Sequence, residues 1–194
     1  MSADRAEDRS EVRARTGGEG RGATEGVAAP AVVLIGPPGA GKTTVGRLVA
    51  QQLDLAFTDT DELIETEQQI SISDIFVEHG EARFRELETD AVAHAVTGGG
   101  VVAVGGGAPM TPATAQLLET LPVAFLSVAI ADAAGRIGLT GARPLLAVNP
   151  RATWTRLMGE RRPTYERLAS WVVETGGRSA EDVAAEVVAK VRGL

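Results

Sequence analysis

Residues 31–53 read AVVLIGPPGAGKTTVGRLVAQQL. Their opening is a continuous apolar run ended by glycine, the pattern of a strand buried on both faces of a parallel sheet. Gly36-Pro37-Pro38-Gly39-Ala40-Gly41-Lys42-Thr43 then matches G-x-x-x-x-G-K-[ST] in full. Beyond it, Val45, Leu48, Val49 and Leu53 recur at helical spacing. The motif therefore sits between a buried strand and a helix, as its chemistry requires. Gly39 and Gly41 let the backbone curl so that successive N–H groups face a phosphate, and the following helix adds its positive end. Lys42 is placed to reach the outer phosphates of a nucleotide and the Thr43 hydroxyl to ligate Mg²⁺.

Outward from this unit, strand and helix patterns alternate. LAFTD (55–59) reads as a second strand and 60–69 as a helix, HGEARFRELETDAVAHAV (79–95) as a long helix, and VVAVG (101–105), VAFLSV (123–128) and WVVE (171–174) as further strands. Such alternation predicts right-handed crossovers and a parallel sheet covered on both faces. The last helix opens on Ser179 and Asp182 with capping-box spacing and carries Val183, Val187 and Val191 on one stripe. No internal repeat is visible.

Composition narrows the class. The 194 residues suit one domain, and 44% apolar content is enough to close a core. There is no cysteine for disulfides or thiolate metal sites and no apolar run of membrane-spanning length, so a soluble, cytoplasmic protein is expected. A net charge of -7 argues against a nucleic-acid partner. Residues 1–29 contain no Leu, Ile, Phe, Tyr or Trp and nearly balance five arginines with six acids. That stretch cannot bury enough apolar surface to offset ordering, which predicts a disordered tail before a domain over 30–194. His79 and His94 lack metal-ligand spacing and read as ordinary helix residues.

Two features beyond the phosphate loop carry chemistry. Asp59-Thr60-Asp61 falls at the carboxyl end of the second strand, where ligands of open parallel sheets collect. Asp59 suits the hydration shell of Mg²⁺ and Asp61 the orientation of an attacking hydroxyl, while the same position also suits Asp59 as a helix cap. Gly105-Gly106-Gly107 ends the third strand and reads as a wall that something approaches closely. Gly98-Gly99-Gly100 precedes that strand and reads as a helix stop and turn.

Together with Gly80-Glu81-Ala82-Arg83-Phe84-Arg85 and Glu88, Arg143-Pro144-Leu145-Leu146, and Arg161-Arg162-Pro163-Thr164-Tyr165, these motifs fall in the order and spacing of the shikimate kinases. From about Val32 to the C-terminus the chain resembles that family. The resemblance implies a three-layer P-loop kinase fold of the nucleoside monophosphate kinase group, with a five-stranded parallel sheet in the order 2-3-1-4-5 and a mobile lid at about 138–148. It implies transfer from MgATP to the 3-hydroxyl of shikimate by a monomeric enzyme without nucleic-acid or membrane partners. By motif position, Gly39, Ala40, Gly41, Lys42, Thr43 and Thr44 embrace the ATP phosphates, and Thr43 and Asp59 serve Mg²⁺. Asp61, Arg85, Arg161 and the backbone around Gly106 and Gly107 bind shikimate, with Glu88 holding Arg85. Arg143 closes over the phosphates, and Arg136 and Arg178 flank adenine. Lys42, Asp61 and Arg143 form the expected catalytic set.

These roles suit the residue types. A free carboxylate is gripped best by planar guanidinium groups, and Arg85 and Arg161 are framed by helix patterns that aim them at one pocket. Gly138, Gly141 and Pro144 around Arg143 describe a loop that can hinge. Two other readings share the phosphate loop. One is a kinase of the same fold acting on gluconate or a nucleoside monophosphate. The other is a nucleotide-binding switch, against which stands the lack of a guanine-specifying Asn-Lys-x-Asp pattern when Lys42 and Lys190 are the only lysines.

Overall fold

The computed structural model describes residues 29–129, 131–133 and 150–194. The expected tail up to residue 28, the lid, Arg136 and Arg143 lie outside the described residues. Five strands form the sheet: β1 (Val32–Ile35), β2 (Phe57–Asp59), β3 (Val101–Ala103), β4 (Val123–Ser127) and β5 (Trp171–Glu174). Their order is β2-β3-β1-β4-β5, with every neighbouring pair parallel. Fold and strand order agree with the expectation. β1 is central and wholly buried, which is why its sequence is unbroken apolar rather than alternating.

Helices α1 (Lys42–Leu53), α2 (Thr60–Gln68), α3 (Ile72–Thr97), α4 (Pro112–Leu118), α5 (Pro150–Leu168) and α6 (Ala180–Arg192) cover the sheet. The main core joins Val32–Ile35 to Val45 and Val49 of α1, Val92 and Val96 of α3, and Val183 and Val187 of α6. A smaller apolar cluster of Ile64, Ile75, Phe84 and Ala91 lies between α2 and α3. No helix among the described residues is long and apolar enough to cross a membrane.

Several boundaries differ from the sequence reading, and three of them have a visible cause. The second strand starts at Phe57, because the Leu55 N–H still bonds the Ala50 carbonyl at the end of α1. The third strand ends at Ala103: Val104 keeps one bond to Leu34, and the Gly105 N–H then turns away to the Thr60 hydroxyl. The long helix begins at Ile72 rather than at 79, capped by Ser71, whose hydroxyl accepts from the Asp74 N–H. That Ser-x-x-Asp spacing was a readable start signal. Gly80 interrupts α3 with φ 78° and ψ 172°, a conformation that a side chain would strain. The break separates the turn carrying Ile72 and Phe76 from the turns carrying Phe84, Arg85 and Glu88.

Candidate active site

The phosphate loop joins β1 to α1. Gly41 caps α1 with φ 91° and offers no side-chain acceptor to the helix, so the backbone at its N-terminus stays open toward an anion. Lys42 Nζ donates to the Gly36 carbonyl at 2.8 Å and the Pro37 carbonyl at 3.3 Å, which lays its ammonium along the loop. At the end of β2, Asp59 performs two tasks with separate oxygens. Oδ1 accepts the Asp61 N–H at 3.0 Å and so caps α2, while Oδ2 accepts the Thr43 hydroxyl at 2.7 Å. One carboxylate thus caps α2 and also meets the hydroxyl of the phosphate-loop threonine.

Beside the loop lies a cavity of about 340 Å³, walled by Pro38 and Thr43, Asp59 and Asp61, Arg85 and Glu88, Gly105 to Gly107, and Leu157 and Arg161. Ile72, Phe76 and Phe84 give it an apolar side, the two rings lying 4.7 Å apart between centroids. Arg85 Nη1 donates to Glu88 at 2.6 Å and Nη2 to Glu81 at 3.0 Å. Those partners differ in kind: the Glu88 side chain is 2% exposed and that of Glu81 57%. Burial alone would pull the Arg85 pKa down, but Glu88 and Glu81 outweigh it and hold the guanidinium above its ordinary value. Burial pushes the Glu88 carboxyl up, with Arg85 opposing, Asp61 adding to the rise and Arg161 opposing. The ion pair forms, and Glu88 bears most of its desolvation.

The glycine triplet is explained by what surrounds it. A Cβ on Gly105 would meet Glu88 Oε1 at 2.5 Å and Asp61 Oδ1 at 2.7 Å, and one on Gly107 would run into the Arg85 guanidinium. Small residues there let the acidic and basic groups close against one wall. The Gly106 carbonyl accepts from Arg161 Nη1 at 3.2 Å and from the Tyr165 hydroxyl.

Tyr165 is the one tyrosine of the chain and fully buried. Burial pushes its hydroxyl up to about 12, with Arg161 opposing. The folded value lies above the ordinary value of about 10, so its stabilising share is present below pH ~10 and is lost as pH rises through about 12. In an alkaline titration of the folded protein, near-ultraviolet tyrosinate absorbance is expected to stay absent at pH ~10 and to rise only toward that upper value. Half-ionisation near pH ~10 before unfolding would contradict the buried donor.

The sequence matches the shikimate kinase family profile over residues 38–192. The shikimate kinase of Salinispora arenicola is 49% identical over 162 residues, spanning 83% of this chain and 97% of the relative. That of Salinispora tropica is 51% identical over 162 residues, again 83% and 97%. This chain belongs to the shikimate kinase family. A solved shikimate kinase from Acinetobacter baumannii in complex with shikimate superposes with a TM-score of 0.80 at 32% identity, covering 86% of this chain and 95% of that one.

Family membership makes the chain an ATP-dependent kinase. Of the residues expected from the resemblance, the cavity brings together Thr43, Asp59, Asp61, Arg85, Gly106, Gly107 and Arg161. Arg178 lies elsewhere, clasping α6 to the end of β5 through Glu186 at 2.6 Å, the Glu174 carbonyl at 3.0 Å and the Asp182 carbonyl at 3.1 Å. Sequence reasoning assigned no role to Thr60, Trp154 or Tyr165, whose polar atoms hold the loops of this shikimate kinase family member. Each has its partner 45 or more positions away, so no local spacing marks the contact.

Proposed function

We propose that this chain transfers the γ-phosphoryl group of ATP to the 3-hydroxyl of shikimate, giving shikimate 3-phosphate and ADP. One observation carries the reading: Asp61, Arg85 and Arg161 converge on a single cavity that opens beside the phosphate loop. A carboxylate in this cavity suits an acceptor alcohol, and two guanidinium groups suit the acceptor's own carboxylate. Glu81 is exposed, so an incoming carboxylate replaces it on Arg85 Nη2 without disturbing the buried Glu88 pair. Gluconate also bears a carboxylate, but the apolar face of Ile72, Phe76 and Phe84 suits a ring better than an open polyol.

Gly39 to Thr44 are proposed to wrap the ATP phosphates, with Lys42 turning from the Gly36 and Pro37 carbonyls toward them. The Thr43 hydroxyl and Asp59 carboxylate, adjacent at the phosphate end, are hard oxygen donors that fit Mg²⁺, an ion held by few protein groups and by phosphates. When bound, that ion neutralises developing phosphate charge. Asp61 orients the acceptor hydroxyl and accepts its proton, Arg85 and Arg161 fix the ring, and the Gly106–Gly107 backbone forms the wall beside them. Arg143 is proposed to close over the phosphates, and Arg136 and Arg178 to flank adenine, Arg178 by exchanging its present acceptors. The -7 net charge supports small-molecule rather than nucleic-acid partners.

ADP release measured in parallel with shikimate, quinate, gluconate and nucleoside monophosphates tests the assignment. Shikimate is expected to give the highest rate by at least about tenfold, since quinate adds a hydroxyl the site is not built to pair. Release with shikimate no faster than in buffer overturns it.

A further inference from the structure

Trp154 lies on α5 and is 6% exposed. Its indole N–H donates at 3.2 Å to the carbonyl of Pro38, 116 residues earlier and inside the phosphate loop. A buried indole N–H needs an acceptor, but this acceptor occupies a particular place. The Ala40 N–H bonds the Pro37 carbonyl at 3.2 Å, and Gly39 has φ 81°. Pro at the second position and a positive φ at the third mark Pro37 to Ala40 as a type II turn. Pro38 thus contributes the carbonyl of the turn's central peptide, the unit that reverses direction between type I and type II turns. In a trans peptide the C=O and N–H point opposite ways. Holding the Pro38 carbonyl toward α5 therefore turns the Gly39 N–H away from α5.

The same helix face holds the facing wall. Trp154, Leu157, Arg161 and Tyr165 follow at helical spacing, and Arg161 and Tyr165 both donate to the Gly106 carbonyl. The two loops lie against each other, since a Cβ on Gly106 would meet Pro38 Cδ and the Gly36 carbonyl at 3.3 Å. One face of α5 thus grips the phosphate loop at one end and the acceptor wall at the other.

We propose that Trp154 is a positioning residue for nucleotide binding: its indole N–H fixes the Pro38–Gly39 peptide so that the Gly39 N–H faces the ATP phosphates. The inference rests on the kinase reading above for what the loop binds. It separates Trp154 from a packing residue, because one hydrogen atom, not the ring's bulk, carries the effect.

Two variants of the full chain separate donor from bulk. Trp154→Phe keeps most of the apolar volume and loses the donor. Trp154→His loses the second ring, but its Nε2–H occupies the place of the indole N–H. Equilibrium titrations with ATP and with ADP, without acceptor, are the readout, alongside shikimate affinity without nucleotide and thermal melting. Trp154→Phe is expected to weaken ATP and ADP alike by roughly 2- to 10-fold, the effect of one neutral hydrogen bond, with shikimate affinity unchanged. Trp154→His is expected to bind nucleotide more tightly than Trp154→Phe although it melts lower. Unchanged nucleotide affinity in Trp154→Phe overturns the proposal, as does a nucleotide affinity that simply follows melting temperature across the pair. If Trp154→His does not fold, the contrast between nucleotide and shikimate affinity in Trp154→Phe decides alone. Because these titrations contain no acceptor, a parent chain inactive on shikimate would remove the substrate assignment and leave this test intact.

Discussion

Lys42→Ala is expected to lower kcat by about 10²-fold or more while weakening ATP binding far less. The ammonium lies along the loop at 2.8 Å from the Gly36 carbonyl and 3.3 Å from the Pro37 carbonyl, from which it is proposed to turn toward incoming phosphates. Ground-state ATP has other donors in the loop and at the α1 terminus. During transfer, however, negative charge moves toward the bridge between the β and γ phosphorus atoms, where a cation at the loop gains most. An interaction that strengthens in the transition state appears in kcat rather than in binding. Because Lys42 also ties the loop to itself, melting and ATP titration belong beside the rate measurement. A variant that folds, binds ATP and retains more than roughly a tenth of the parental turnover would contradict the role.

The second large effect separates the acceptor pocket from the nucleotide site. Arg85→Ala and Arg161→Ala are each expected to weaken shikimate binding by about 10- to 150-fold, the loss of a charge-assisted partner of about 1.5–3 kcal/mol, with ATP affinity near normal. The structure distinguishes the two. Arg85→Ala leaves Glu88, with a side chain 2% exposed, without its 2.6 Å partner, whereas Arg161→Ala removes a bond to the Gly106 carbonyl and a lesser attraction for Glu88. Arg85→Ala should therefore melt lower than Arg161→Ala. Adding Glu88→Gln to Arg85→Ala removes the stranded charge, so melting should recover and shikimate affinity should not. Lysine at either site should restore affinity only in part, because a point charge lacks the bidentate fork. Unchanged shikimate affinity in both alanine variants would remove these residues from the acceptor site.

The sequence by itself determined the nucleotide half of this protein. Gly36 to Thr43 is contiguous, and its chemistry depends on backbone N–H groups that the glycines and the following helix place locally. The parallel sheet was legible for a related reason: strands buried on both faces must be continuously apolar, and the helices between them leave few topologies. Asp59 was legible as a helix cap and as a strand-end carboxylate, because both are local features. Element ends were less so, since the Gly105 N–H leaves the ladder for a hydroxyl 45 residues earlier.

Tertiary structure alone decided how the acceptor half is held together. Nothing near Gly107 says that its missing Cβ makes room for Arg85, or near Gly105 that Asp61 and Glu88 share its space. Resemblance put names on Arg85 and Arg161; only folding brought α3 and α5 to the same glycine wall. Trp154 carried no signal and Tyr165 only a place in a family motif without a role, because a single indole or phenol on a helix reads as core until the carbonyl it faces is known. Hydrogen bonds to backbone carbonyls across 55 to 116 residues leave no periodicity to read. They are set by how α5 lies on the sheet, which is a property of the packed chain and not of any segment of it.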